Sequence, residues 1–211
     1  TNARAVLGTV PVEADGSVYF RAPAGKLIYF QALDPQGRAI QSMRSATYLH
    51  AGEDLTCLGC HERKHRTGFR MKRTPLALQR EPSAIQPDVD GANPFNYQRL
   101  VQPVLDRHCV DCHQRESSAG APDLRGTPGG KHGWTRSYEA LTPHTWSLFG
   151  ANGSIFSNGM RSKPGELGAR ASKLFKILER GHHDVQLPKE DLRRITLWLD
   201  CNSNFYGAYR E

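Results

Sequence analysis

Two short stretches constrain this chain more than anything else in its 211 residues. They are Cys57-Leu58-Gly59-Cys60-His61 and Cys109-Val110-Asp111-Cys112-His113. Both read C-x-x-C-H, the attachment pattern of c-type haem. Two thiols at this spacing can each form a thioether to one vinyl group of a single porphyrin. The next histidine then lies beneath the iron and supplies an axial nitrogen. With five cysteines and nine histidines in the chain, chance would give about 0.005 copies of the pattern, against the two observed. A four-cysteine zinc site usually places about 15–20 residues between its pairs and needs no histidine after each. The gap from Cys60 to Cys109 is far longer. The expected cofactors are two covalently bound haem c groups.

Apolar residues make up only 38% of the chain, beside 20 glycines and 13 prolines. That is a thin core for this length, and two macrocycles would supply the missing apolar surface. The formal charge of +7 falls once the propionates are counted, roughly four negative charges in all. The densest basic stretch, 61–73, is not interleaved with aromatics on one face, so nucleic acid is not the expected partner. Cys201 is left over and reads as a buried thiol in the apolar run 197–201. No stretch is long and apolar enough to span a membrane, and no signal peptide is visible. Haem c is attached outside the bacterial inner membrane. The expectation is therefore an exported chain, periplasmic or extracellular, that is a module of a larger protein.

The spacing of apolar residues predicts an α+β fold. Segments 17–22, 26–33 and 38–43 are rich in β-branched and aromatic residues and are separated by turn signals. They predict a three-stranded antiparallel meander in a β-rich first-haem domain over 1–80. Prolines at 75, 82 and 87 make 81–94 a linker. Asn93-Pro94 has the form of a helix start, and Tyr97, Leu100, Val101, Val104 and Leu105 share one helical face. That helix, kinked or interrupted by Pro103, leads into Cys109 as in class I cytochromes c. The segment 95–211 is thus expected to be a mostly helical, loop-rich domain of class I cytochrome c type around the second haem. Its other helices fall at 171–180, closed by Gly181, and at 189–200, with acids in its first turn. The stretch 114–168 reads as a long loop around a haem edge.

Further matches carry a resemblance to a known family. Thr9-Val10-Pro11-Val12, Gly16-Ser17-Val18-Tyr19-Phe20, Gln41-Ser42-Met43-Arg44-Ser45 and Gly52-Glu53-Asp54-Leu55-Thr56-Cys57 resemble the haem-bearing part of hydrazine synthase α-subunits. So do Val101-Gln102-Pro103-Val104-Leu105, Gly181-His182-His183-Asp184-Val185 and Trp198-Leu199-Asp200-Cys201-Asn202. The chain is also similar to di-haem modules attached to secreted bacterial polysaccharide-degrading proteins. In the synthase, the resemblance implies, the first haem is catalytic and a tyrosine four residues after the motif histidine binds its iron. Here that position is His65, which makes the electron-carrier modules the closer guide.

Proximal ligands are expected at His61 and His113. For the second haem the distal candidates are His182 and His183, which sit between two helices, with Met160 behind them. For the first haem they are Met43, His50 and His65, or an open position. The functional expectation is electron transfer to or from an exported redox partner, an oxidative polysaccharide-active enzyme among the candidates. The alternative is a haem enzyme with one open or unusually ligated iron acting on peroxide or a nitrogen compound. The sixth ligand separates them: a doubly ligated iron passes electrons, whereas an open one binds substrate.

Overall fold

A computed structural model describes residues 4–43, 45–59, 73–114, 120–129, 133–146 and 163–206. Within them the chain forms two compact units. One, mainly helical, takes residues 1–6, 31–41 and 92–211; the other, mainly extended, takes 7–30 and 42–91. The partition differs from the expected one in three places, the first being that residues 1–6 belong to the helical unit. Residues 31–41 cluster with the helices, and most of the expected linker is paired into the extended unit.

The extended unit has one short antiparallel ladder, β1 (Leu27–Ile28) on β4 (Thr47–Tyr48), with Leu27 opposite Tyr48. The rest is held by single bridges, Thr9 to Gln86 and Phe20 to Ser83. Gly8 permits the first of these, because a Cβ there would stand 2.1 Å from the Gln86 carbonyl oxygen. Ser17 Oγ and Asp15 Oδ2 accept the Ala77 and Leu76 N–H groups at the start of a 3-10 turn, Leu76–Gln79. Among its described residues only two apolar side chains are buried, Ile28 and Ala77. Extended chain closed by bridges rather than by a core is what so few apolar positions allow.

The helical unit holds β2 (Gln31–Leu33) paired with β3 (Ala39–Ser42, whose last residue opens the other unit). Asp34 turns this hairpin by accepting from the Gln36 and Arg38 N–H groups. The expected three-stranded meander is therefore replaced by two separate pairings. The segment expected to be one strand, 26–33, changes partner midway, so its halves pair with 47–48 and 39–42.

The helices are α1 (Tyr97–Leu100), α2 (Gln102–His108), α3 (Arg136–Leu141), α4 (Gly168–Ala171), α5 (Lys173–Glu179) and α6 (Lys189–Asp200). Asn96, three residues later than expected, caps α1 by accepting the Arg99 N–H. Pro94 is instead bridged to Ala5. Pro103 sits in the first turn of α2, where no intrahelical N–H is needed. α3 lies inside the stretch expected to be loop and is capped by Thr135, which accepts the Tyr138 N–H. The core of this unit gathers around an aromatic cluster. The Tyr97 ring lies 5.1 Å from Trp198 and 5.7 Å from Phe205, and Tyr138 lies 4.9 Å from Phe205.

Asp200, at the end of α6, ties the hairpin to the helices. Its carboxylate accepts the Ala39 N–H at 2.9 Å and the Ala169 N–H at 2.8 Å, and its carbonyl accepts Gln31 Nε2 at 2.9 Å. Asp34, bonded by both Arg38 and Arg170, adds a second tie.

Candidate haem centres

α2 ends at His108, and the chain turns directly through the second motif. Cys109 donates its N–H to Leu105, while the His113 N–H reaches the Cys109 and Val110 carbonyls at 3.0 Å each. Cys109 is half-buried and Cys112 exposed, and neither forms a disulfide. Burial, and then the neighbouring Cys112, push the Cys109 thiol above its ordinary value.

The imidazole of His113 is oriented from behind. Its Nδ1 lies 3.0 Å from the Pro122 carbonyl oxygen. A carbonyl can only accept, so Nδ1 carries the proton and Nε2 keeps its lone pair for a metal. The Leu124 N–H donates to the His113 carbonyl at 2.9 Å. The 122–124 segment is fixed in turn: Gln102 Nε2 donates to the Leu124 carbonyl, and Ser137 Oγ donates to Gln102 Oε1. Buried Asp123 is gripped by Arg125 through two bonds of 3.0 and 2.7 Å. Pro122 and Ser137 are neighbours of the site that the sequence did not single out, and Gln102 entered only as part of a matched stretch. Pro122 is one of 13 prolines, and no spacing marks it.

Facing His113 is His182. The two ring centroids are 6.0 Å apart and their planes differ by 26°. An ion bonded to both at about 2 Å separates the two nitrogens by about 4 Å, leaving about 2 Å for the two ring radii. The spacing therefore fits one metal between two nearly parallel imidazoles. Burial, then His183 and His113, hold His182 below the usual imidazole range, which favours the neutral, ligating form. His183 is exposed, with its ring against His182 at 4.4 Å. Among the described residues no group of three or more His, Cys, Asp or Glu could hold a metal ion. A haem iron, with four nitrogens from its own macrocycle, needs only two from the protein.

The first motif is described only in part. Cys57 is exposed, with exposed Leu55 and Leu58 beside it. Cys60, His61 and His65 lie outside the described residues, as does Met160. His50 is exposed just beyond β4, its ring 5.2 Å from Tyr48. Its N–H donates to Glu53 Oε2. Met43, half-buried, donates its N–H to the Phe30 carbonyl. Thus the structure brings Cys109, Cys112, His113 and His182 to one place, with His183 at its edge.

Comparison with known proteins points one way. Residues 1–62 match the family described as hydrazine synthase alpha subunit middle domain. Hydrazine synthase subunit alpha of Kuenenia stuttgartiensis is 23% identical over 282 residues, covering 98% of this chain and 34% of the relative. The solved structure of Kuenenia stuttgartiensis hydrazine synthase matches with a TM-score of 0.65 at 18% identity, over 96% of this chain and 33% of that one. The fold is shared with that region. The chain spans about a third of the length of the relatives it matches.

Proposed function

We propose that this chain is the di-haem portion of a haem enzyme acting on a small nitrogen compound, with the second haem as its electron relay. The observation that carries the relay is the near-parallel pair His113 and His182 at 6.0 Å. Cys109 and Cys112 would hold the macrocycle, Pro122 would keep Nε2 of His113 free, and His182 would close the opposite side. A haem bound there would supply one-electron chemistry.

The proposed reaction centre is the first haem, attached through Cys57 and Cys60 with His61 as its proximal histidine. Support for nitrogen chemistry comes from the likeness to hydrazine synthase α, which favours the enzyme over the expected carrier role. A carrier module is the second reading, favoured by His65 in place of the synthase tyrosine. In either case the module would be exported and would exchange electrons with a redox partner protein. No described helix is long and apolar enough to cross a membrane.

Absorption and electron paramagnetic resonance spectra of the ferric protein, with and without hydrazine, test this. The expected result is one low-spin bis-imidazole haem that does not respond and a second haem that does. Replacing His182 by Met should bring a sulfur-to-iron band into the first of these spectra and raise its midpoint potential. Two low-spin haems inert to hydrazine would reject the enzyme reading in favour of the carrier.

A further inference from the structure

The two imidazoles of the second centre are held in unlike ways. His113 is fixed at its ring by Pro122, at its N–H by Cys109 and Val110, and at its carbonyl by Leu124. His182 is the first residue of a four-residue turn, His182-His183-Asp184-Val185, closed by the Val185 N–H on the His182 carbonyl at 3.0 Å. The central residues have φ of 47° and 64°. Positive φ at both makes this a type I′ turn, a form dominated by Asn-Gly because both positions need left-handed backbone. His and Asp enter that region more readily than most residues, but glycine does so without steric cost. His183 and Asp184 are both exposed. One axial imidazole therefore stands on a braced segment and the other on a strained surface turn.

We infer that His182 is a displaceable ligand, so that the second centre opens its distal side to a small neutral diatomic molecule. The inference rests on the reading above that His113 and His182 are the axial pair. Were His182 to withdraw from its place opposite His113, the turn, closed only by its own Val185-to-His182 bond, could leave its left-handed form. Strain therefore opposes ligation, and its release offsets part of the cost of losing the bond. Gly181 (φ 82°) and Pro188, the N-cap of α6, bound the segment. Relaxation can thus stay within 182–187 without unwinding either helix. The exchange is a substitution: Nε2 of His182 withdraws with its lone pair, and the incoming molecule donates its own pair. No electron is transferred. A neutral diatomic suits a place that neutral imidazole leaves, because the charge there does not change.

The test is a carbon monoxide titration of the fully reduced, haem-loaded protein, read at the low-spin absorption bands. Three proteins are compared: the natural chain, His182→Gly, and the pair His183→Asn with Asp184→Gly, which relaxes the turn. The natural protein should bind carbon monoxide at the bis-imidazole haem, and His182→Gly should bind it more tightly there. The relaxed turn should weaken binding about tenfold, equivalent to ~1.4 kcal/mol. No uptake at that haem in the natural protein, with uptake after His182→Gly, would overturn the inference. Equal affinity in the natural and relaxed-turn proteins would also overturn it. If His182→Gly leaves the low-spin spectrum intact, the axial assignment itself falls, which is a separate outcome.

Discussion

Replacing Asp200 by Ala removes the tie that joins β3 and α4 to the end of α6. Two buried N–H groups, of Ala39 and Ala169, lose their acceptor. Each unsatisfied donor costs about 1–3 kcal/mol, so the variant should lose about 2–6 kcal/mol against a usual domain stability of about 5–15 kcal/mol. Asp200→Asn keeps one acceptor and should lose about half as much. The carboxyl also has a pH signature. Burial raises it from 3.8 to about 6, against the opposing pull of the Ala169 and Ala39 N–H groups. That displacement corresponds to ~3 kcal/mol favouring the protonated form in the folded state. Its contribution is fully present below about pH 4 and is lost as pH rises through about 6. Urea unfolding of the haem-loaded protein, followed by far-ultraviolet circular dichroism from pH 4 to 7, separates the two effects. Asp200→Asn should be less pH-dependent than the natural chain across that window. An Ala variant with an unchanged midpoint, or an Asn variant with an unchanged pH slope, would refute the reasoning.

Intact mass should exceed the polypeptide by two porphyrins that acid–acetone fails to extract; a mass increment of one would remove one centre. Cys109→Ser with Cys112→Ser should reduce helical circular dichroism, since a group bound only by the folded chain stabilises it; an unchanged spectrum would contradict this. Asp191 is opposed by burial but held below its ordinary value by His108 and Arg107, at 2.8 and 2.7 Å. Its contribution is present above the ordinary carboxyl value and lost as pH falls below it. Asp191→Ala should therefore cost about 1 kcal/mol at pH 7, because its Arg107 partner is half exposed, and less in acid, read from urea midpoints. Gly168→Ala should destabilise by more than ~1 kcal/mol, because the added Cβ would stand 2.1 Å from Asp200 Oδ1 at a φ of 54°; thermal melts check this.

Much of the helical unit was legible in the chain itself. The periodicity of Tyr97, Leu100, Val104 and Leu105, the Gly181 stop and the acidic start of α6 each act through neighbours within a few residues. The extended segments were not legible in the same way. Residues 27–33 have strand composition throughout, yet partner choice depends on chain up to 21 residues away, which local propensity does not encode. α3 went unseen because Thr135 to Leu141 is short, preceded by glycine-rich sequence and followed at once by Thr142-Pro143. At the site, the motif spacing located His113, but its Pro122 partner is fixed by a loop whose only signature is the fold. His182 and His183 could not be separated by position alone. In the structure the His182 ring lies 6.0 Å from that of His113, and exposed His183 sits beside it.

The two units interleave along the chain. It passes from one to the other at four points, after residues 6, 30, 41 and 91. Neither unit is a contiguous stretch, so no single crossover in a gene could add or remove one and leave the other whole. The match over residues 1–62 itself spans three of those passages. Such a pair must be inherited as one block. Lineages that keep either unit should keep both, and insertions should accumulate in surface loops rather than at a boundary between the two.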